Sequence, residues 1–267
     1  MERRARDDGF LRVRGLIKDF GALRAVSEVG FEVAQGRIYA IIGPNGAGKT
    51  TVFNLIAGTY PATGGSVQFL GQEVLGKPEY QIACSGIART YQNIRLFSNM
   101  TVLENVMVGC HCRTSGGVWD VLFQTKKSRE EERYMAVQGR DLLTFVGIEG
   151  YQGELAKSIP LGVQKRLEIA RALATQPRLL LLDEPAAGMN PQETVDLMSL
   201  IEKIRTGGRT ILLIEHDMRL VMGISDRILV LDHGVSIAEG APAQIQRDER
   251  VIEAYLGPRS LDEPTRN

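Results

Sequence analysis

The sequence GPNGAGKT, residues Gly43–Thr50, decides the fold class of this chain. It follows an apolar run, Ile38–Ile42, so a buried strand ends in a glycine-rich turn and a helix begins. A phosphate-binding loop requires this order, because its glycines let successive backbone N–H groups point at phosphate oxygens. Lys49 adds a positive charge, and the hydroxyl of Thr50 can bind Mg2+. A chance match is expected in only about 1% of chains of this length, so we predict that the loop binds phosphate.

The composition indicates a globular protein without an excess of basic charge. The 267 residues are 43% hydrophobic, which is enough for one large domain or two coupled ones. Basic and acidic residues each number 32, which argues against a strongly basic nucleic-acid-binding protein. No apolar run reaches membrane-spanning length and the charged N-terminus lacks an apolar segment, so we expect neither a membrane span nor a signal peptide.

The three cysteines predict a reducing compartment rather than a disulfide framework. Cys110-His111-Cys112 offers a metal site as the alternative, but it lacks a second pair of ligands at a suitable spacing. We therefore interpret these thiols as structural.

The apolar pattern predicts an α/β chain with two additions. Alternating residues between Leu11 and Val33, and a strand at 66–70, predict an antiparallel β subdomain. Uniformly apolar strands at 179–182, 211–214 and 228–231 predict a parallel sheet, with helices at 164–174, 191–205 and 242–256. Capping boxes at Thr101–Glu104 and Ser128–Glu131 predict an inserted helical subdomain.

These elements predict the following domain boundaries. Residues 1–10 are expected to be frayed, and 11–256 to form a single domain. Within it, 11–92 and 163–256 form the α/β core and about 93–162 the helical subdomain. Residues 257–267 form a tail.

Two further strand ends carry polar residues suited to nucleotide chemistry. Asp183 and Glu184 end one buried strand, where an acidic residue beside a phosphate loop can hold Mg2+ while its neighbour polarises an attacking water. We assign Asp183 to the metal and Glu184 to the general base, the alternative being two acids that stabilise a helix N-terminus. His216 follows another strand, where it can donate a hydrogen bond to a terminal phosphate or be merely structural.

These motifs together resemble an ATP-binding cassette (ABC) ATPase over about Leu11 to Leu256. The resemblance implies a P-loop NTPase fold, a RecA-like parallel sheet with flanking helices, and the cofactors ATP and Mg2+. Its Walker A loop matches 43–50, its Walker B strand 179–184 and its glutamine loop 88–92. The implied catalytic residues are Glu184, His216 and Gln92, and the implied metal ligands are Thr50, Gln92 and Asp183. The implied nucleotide contacts are Phe20, Gly43, Pro44, Asn45, Gly46, Ala47, Gly48, Lys49, Thr50, Thr51 and Gly162.

Phe20 is assigned to adenine stacking, which needs only a π-face, and the alternative is a core aromatic residue. Asn190 stands where many members of the family have aspartate.

Longer strings point to one branch of the family. Residues 88–108, 166–173, 183–191 and 214–226 resemble the ATP-binding subunit of bacterial branched-chain amino-acid importers of the high-affinity Liv type. The resemblance implies an ATPase that powers import of these or a related small polar solute at the cytoplasmic face of the inner membrane. Amide and urea importers share much of the pattern. A soluble ABC ATPase and a weakly hydrolysing nucleotide-dependent regulator are the alternatives.

The resemblance also implies a set of partners. These are a second ABC ATPase subunit, two polytopic permease subunits and, indirectly, a periplasmic solute-binding protein, without nucleic acid. Leu96, Phe97 and Met100 could line a groove for a permease helix, the alternative being that they form the core of the helical subdomain.

The chain departs from the family at the signature sequence, LSGGQ, which contacts the partner's nucleotide. The aligned residues are Ile159–Val163, in which Gly162 is kept, Pro160 replaces the serine and Val163 the glutamine. A side-chain hydrogen bond to a charged group typically contributes about 1.5–3 kcal/mol, or tenfold to a hundredfold in an equilibrium. We therefore favour a heterodimer with a second ATPase whose signature is better. A homodimer is the alternative if backbone N–H groups supply most of the binding.

Overall fold

The structure is a computed structural model that describes residues 9–110 and 126–256, except for the side chains of 126–129 and 256. The predictions for residues 1–8, for His111 and Cys112, for the connection at 113–125 and for the tail at 257–267 lie outside this part. The chain divides into two compact units, Met1–Lys77 with Leu212–Asn267, and Pro78–Ile211. No helix in the described ranges is both long and apolar enough to cross a membrane.

Strands and helices alternate along most of the described chain. The strands are β1 (Leu11–Phe20), β2 (Leu23–Val33), β3 (Ile38–Ile42), β4 (Gly64–Phe69), β5 (Gln72–Glu73), β6 (Ile87–Arg89), β7 (Leu179–Asp183), β8 (Thr210–Ile214), β9 (Arg227–Asp232) and β10 (Val235–Gly240). The helices are α1 (Lys49–Ile56), α2 (Glu79–Ser85), α3 (Val102–Cys110), α4 (Lys126–Val146), α5 (Leu161–Ala174), α6 (Pro191–Thr206), α7 (Met218–Ile224), α8 (Pro242–Ile245) and α9 (Glu249–Leu256). A 3-10 turn spans Glu149–Tyr151.

The first unit contains the predicted antiparallel sheet, with strand order β2-β1-β4-β5. Leu11 of β1 pairs with Val33 of β2 on one side and with Phe69 of β4 on the other. Phe10 is buried and packs edge to face on Phe69, with ring centroids 5.1 Å apart. Because Phe10 belongs to this core, the prediction that residues 1–10 are frayed is wrong for Phe10.

The strand that precedes the phosphate loop also lies in the first unit. β3 pairs in parallel with β9, and β9 pairs antiparallel with β10. All five residues of β3 are buried, as expected for a strand covered on both faces. Ala40 and Ile42 pack with Val221 of α7, Val230 of β9 and Ile245 of α8.

The end of the first unit differs from the prediction of one helix at 242–256. Two helices are present, α8 and α9, because a new helix begins after Asp248. The Asp248 side chain accepts a hydrogen bond from the backbone N–H of Arg250 and so caps the second helix. The short helix α7, at 218–224, is a further element that the apolar pattern did not predict.

The second unit combines a parallel strand pair with a group of packed helices. Ile87 of β6 pairs with Leu179 of β7. Helices α3, α4 and α5 contact one another, and a Cβ on Gly109 of α3 would lie 2.4 Å from the carbonyl oxygen of Arg171 in α5. This close approach requires glycine at position 109.

Two predicted helix starts in the second unit are wrong. Ser128 lies inside α4 instead of capping it, because the helix already includes Lys126. Helix α5 begins at Leu161, three residues before the predicted Gln164, because Pro160 at its N-cap has an extended backbone and is followed directly by helical residues. The elements α2 and β6 were not predicted.

The first predicted capping box is confirmed. The backbone N–H of Thr101 donates to the Glu104 carboxylate at 2.7 Å, and the backbone N–H of Glu104 donates to the Thr101 hydroxyl at 3.2 Å. The two residues thus satisfy each other's free donors at the start of α3.

Replacing Thr101 by alanine should therefore lower the free energy of unfolding by about 1 kcal/mol, since the cap hydroxyl is lost. Circular dichroism should record a fall in Tm of about 2–4 °C for a chain of this size. Ser199→Ala is the control, because Ser199 is exposed within α6 and donates to the Val195 carbonyl one turn earlier. We expect an unchanged or slightly higher Tm there, and an equal fall in both variants would contradict a capping role.

Candidate functional site

The phosphate loop of the first unit is a tight turn between β3 and α1. Gly43, Gly46 and Gly48 have φ angles of 150°, 81° and 95°, which favour glycine. A Cβ on Gly43 would lie 2.0 Å from the Leu231 carbonyl oxygen, and one on Gly48 would lie 2.6 Å from that of Ala25. Both positions therefore require glycine for backbone conformation and for space.

Lys49 lies inside this loop. Its side chain is buried, and its ammonium group donates hydrogen bonds to the carbonyl oxygens of Gly43 at 2.7 Å and Pro44 at 2.9 Å. Within the described part of the chain, no side chain caps the start of α1, whose N-cap is Gly48. The loop therefore combines a cation with helix-terminal N–H groups, the donor set that recognises a phosphate group.

Phe20 ends β1 and is 44% exposed, so the alternative of a core aromatic residue is wrong. Its ring meets Tyr60 edge to face at 5.8 Å, and the Lys18 ammonium lies 4.7 Å from the ring centroid. This aromatic pair, of which sequence reasoning found only Phe20, is accessible to a planar ligand.

His216 lies on a short turn between β8 and α7, with an exposed side chain. The buried Glu215 carboxylate accepts hydrogen bonds from the backbone N–H groups of His216 at 2.7 Å and Asp217 at 3.2 Å. Asp217 in turn caps α7 by accepting from the backbone N–H of Arg219. These contacts fix the main chain from which the imidazole projects.

The last helix of the first unit also approaches the phosphate loop. The backbone N–H of Gly43 lies within hydrogen-bonding range of the Tyr255 hydroxyl in α9, and partial burial raises the pKa of Tyr255. Tyr255 was not predicted as a site residue, because nothing in the local sequence indicates a contact with a loop so distant along the chain.

In the second unit, the Asp183 carboxylate is buried at the end of β7. Its Oδ2 atom accepts a hydrogen bond from Arg89 at 2.8 Å, whereas Oδ1 has no hydrogen-bond partner among the described residues. Burial raises the pKa of Asp183, and the Arg89 guanidinium opposes this shift. A buried carboxylate oxygen without a partner is costly unless a ligand occupies it, so Asp183 fits a Mg2+ ion or its bound water.

Glu184 and Gln92 are brought together in the same unit. The Gln92 amide donates to the Glu184 carboxylate, with 2.9 Å between Nε2 and Oε2. Glu184 has a φ of 48°, which is unusual for a residue other than glycine, and Lys165 donates to its carbonyl oxygen at 3.3 Å. A carboxylate with a fixed hydrogen-bond donor at this strand end can accept a proton from a nearby water.

Arg89, Lys165 and Glu168 are buried charged residues that sequence reasoning missed. The signal that could have found two of them is helical periodicity, because Lys165 and Glu168 fall on the apolar stripe of α5 with Ile169 and Ala172. Arg89 gives no comparable signal, since its partner Asp183 is distant in sequence.

The signature segment forms the start of α5, with Pro160 as an N-cap that makes no side-chain hydrogen bond. A Cβ on Gly162 would lie 2.8 Å from the Glu193 carboxylate of α6. Asn190 caps α6 by accepting from the backbone N–H groups of Gln192 and Glu193. Asparagine thus serves as an N-cap at the position where many family members have aspartate. A side chain at position 162 would require only the end of the flexible Glu193 side chain to shift.

The predicted site residues thus fall in both units. The first carries Phe20, His216 and the phosphate loop, and the second carries Gln92, Gly162, Asp183 and Glu184.

Comparison with known families and proteins agrees with this set of motifs. Residues 26–187 match the ABC transporter family, and residues 237–257 match a second family described as "Branched-chain amino acid ATP-binding cassette transporter". The chain is 46% identical over 248 residues to the high-affinity branched-chain amino acid transport ATP-binding proteins BraF of Pseudomonas aeruginosa and LivG of Escherichia coli K12. Each alignment covers 92% of this chain and 97% of the relative.

Solved structures are similar over nearly the whole chain. A nucleotide-free ATP-binding cassette from an ABC transporter matches with a TM-score of 0.82 and 32% identity, covering 94% of this chain and 100% of that one. The ADP conformation of such a cassette matches with a TM-score of 0.81 and 31% identity, covering 94% of this chain and 99% of that one. The α/β P-loop NTPase fold and the nucleotide-binding character expected from the sequence are therefore confirmed. The chain belongs to the ABC transporter family and is an ATP-binding, ATP-hydrolysing member of it.

Proposed function

We propose that this chain is the ATPase subunit that powers import of branched-chain amino acids through a membrane permease. The observation that carries the proposal is the 46% identity, over 92% of the chain, to two proteins named for this transport. The match of residues 237–257 to a family described by the same substrate supports it independently of the common ATPase motifs. We infer a peripheral position on the cytoplasmic face of the inner membrane.

In the proposed mechanism, the phosphate loop and Lys49 hold the ATP phosphates while Phe20 stacks on the adenine. Glu184 accepts the proton of the attacking water, Gln92 orients that carboxylate, and His216 donates to the terminal phosphate. Mg2+, when bound, would neutralise phosphate charge, and the residues assigned to it are Thr50, Gln92 and Asp183. The Oδ1 atom of Asp183, which has no hydrogen-bond partner among the described residues, supports this assignment.

We infer that the permease docks on the segment after Gln92. Phe97 is 47% exposed and Met100 is 38% exposed, which supports docking over a role for these two side chains in the subdomain core. The buried Asn105 accepts a hydrogen bond from the Phe97 backbone N–H and donates to the Phe97 and Thr101 carbonyls. Asn105 therefore fixes the backbone that presents these apolar side chains.

We also infer that the chain pairs with a second ATPase, because its own signature lacks two polar side chains. Pro160 offers no hydroxyl and Val163 no amide, while the helix start at Leu161 is retained. The lost side-chain bonds would weaken the site that this chain completes on its partner, whereas its own phosphate loop is intact. The altered signature also favours a second candidate function, that of a weakly hydrolysing nucleotide-dependent regulator.

Purification from a membrane extract tests the transport proposal. We expect the tagged chain to co-purify with a polytopic membrane protein, and its ATPase activity in proteoliposomes to rise when a leucine-loaded periplasmic binding protein is added. The control is the same preparation with an unloaded binding protein. Stimulation by an amide or urea but not by leucine, isoleucine or valine would contradict the substrate assignment.

Replacing Glu184 by glutamine separates an ATPase motor from a regulator. Loss of the general base should lower kcat by about 100-fold or more, while ATP binding is retained. Phosphate release measures turnover, and size-exclusion chromatography with ATP should show an accumulated ATP-bound dimer. A phosphate-release rate equal to that of the unaltered chain would favour the regulator.

Restoring the signature side chains tests the heterodimer. In the isolated chain, Pro160→Ser combined with Val163→Gln should raise ATPase activity about tenfold to a hundredfold, the value of one restored charged hydrogen bond. Val195→Gln, an exposed substitution within α6, is the control and should change nothing. The heterodimer would be refuted if the unaltered isolated chain were as active as the two-ATPase complex.

A further inference from the structure

Helix α5 carries two opposite charges on its buried side. Lys165 is 4% exposed and Glu168 is 2% exposed, three residues apart on the same face. Charged side chains are almost never buried to this extent unless they are paired or hydrogen-bonded. Their contacts therefore indicate what they hold in place.

Glu168 binds the main chain of the glutamine loop. Its Oε1 atom accepts a hydrogen bond from the Tyr91 backbone N–H at 3.1 Å, and the Arg95 backbone N–H lies within hydrogen-bonding range. Burial raises the pKa of Glu168, and these N–H groups with the charges of Lys165 and Arg171 oppose the shift. One carboxylate thus fixes the backbone on both sides of Gln92.

Lys165 binds the main chain at the general base. Its ammonium group donates to the Glu184 carbonyl oxygen at 3.3 Å, where the backbone has its unusual φ of 48°. A left-handed conformation of a residue other than glycine costs about 1–3 kcal/mol and persists only when the surroundings hold it. The bond from Lys165 therefore helps to fix the turn that aims the Glu184 carboxylate at Gln92.

We propose that Lys165 and Glu168 are positioning residues, through which α5 holds Glu184 and the Gln92 loop in a fixed mutual geometry. The inference rests on the proposed catalytic roles of Glu184 and Gln92. The same helix begins at the signature, and Gly162 lies less than two turns from both charges. The same helix therefore joins the signature segment to both positioning contacts.

Hydrogen exchange in the full-length chain tests the contact without any need for turnover. In Glu168→Ala, the amides of residues 91–95 should exchange about tenfold faster or more, because a charged acceptor is lost. Glu168→Gln keeps a neutral oxygen acceptor of the same length and should retain most of the protection. Unchanged exchange in Glu168→Ala would overturn the proposal.

Steady-state kinetics test the consequence for catalysis. They are measured in an ATPase preparation in which the unaltered chain shows turnover. Glu168→Ala and Lys165→Met should each lower kcat by about 10- to 100-fold at an unchanged KM for ATP, since small misplacements of reacting groups have effects of this size. Glu168→Gln should restore most of kcat.

The matched control is Arg166→Met. Arg166 neighbours Lys165 on α5 but donates to the carbonyl oxygen of Val146, at the end of α4, so its loss should leave kcat unchanged. An equal loss of kcat in Arg166→Met and Lys165→Met would overturn positioning in favour of general destabilisation. If Glu168→Ala does not fold, comparing kcat of Lys165→Met with kcat of Arg166→Met decides between positioning and general destabilisation. Retained turnover in Glu184→Gln would instead contradict the proposed function. Amide exchange in Glu168→Ala would still test the contact between Glu168 and the backbone of residues 91–95.

Discussion

The burial of the Asp183 carboxylate at the end of β7 is the constraint on which the second unit depends. A charge removed from water must be offset by partners, and Arg89 supplies one of them from the adjacent strand. The backbone N–H of Asp183 donates to the Thr90 hydroxyl, and Thr90 in turn donates its own N–H to the Leu181 carbonyl. The parallel pair β6–β7 therefore ends in a set of bonds that fixes the position of Asp183.

The first unit meets the same constraint with a lysine. The Lys49 ammonium is buried in the turn that it follows, where the carbonyl oxygens of Gly43 and Pro44 offset its desolvation. The two carbonyl oxygens are neutral acceptors, so neither of these bonds cancels the positive charge that the proposed phosphate contact uses. Each unit thus buries a charged side chain of the proposed site, and nearby residues offset part of its desolvation by hydrogen bonds.

Sequence reasoning succeeded where the signal is local. The phosphate loop, the buried strand before it and the Thr101 capping box each lie within a few residues, so spacing and residue type were enough. It failed where a distant contact decides. The roles of Arg89, Lys165 and Glu168 depend on partners from about 20 to more than 90 residues away. The break between α8 and α9 was missed for a different reason, because a local bond from Arg250 to Asp248 starts a second helix within one continuous apolar pattern. Helical periodicity places Lys165 and Glu168 on the buried face of α5, but it does not identify the main-chain groups that they bind.

The altered signature illustrates how a family motif combines two requirements. A Cβ on Gly162 would lie 2.8 Å from the end of the Glu193 side chain, which is flexible enough to move aside, so packing within this chain does not by itself require glycine there. Position 160 needs only an N-cap backbone that allows α5 to begin at Leu161, and proline supplies it without a side-chain hydrogen bond. The side chains of Pro160 and Val163 contain no polar atoms, so neither residue places an unsatisfied donor or acceptor inside this chain. The fold therefore accommodates proline and valine at these positions, and we expect the substitutions to act through the proposed contact with a partner's nucleotide. The start of α5 is thus kept while the side-chain donors of the signature are lost, which is the pattern expected under the proposed pairing with a second ATPase.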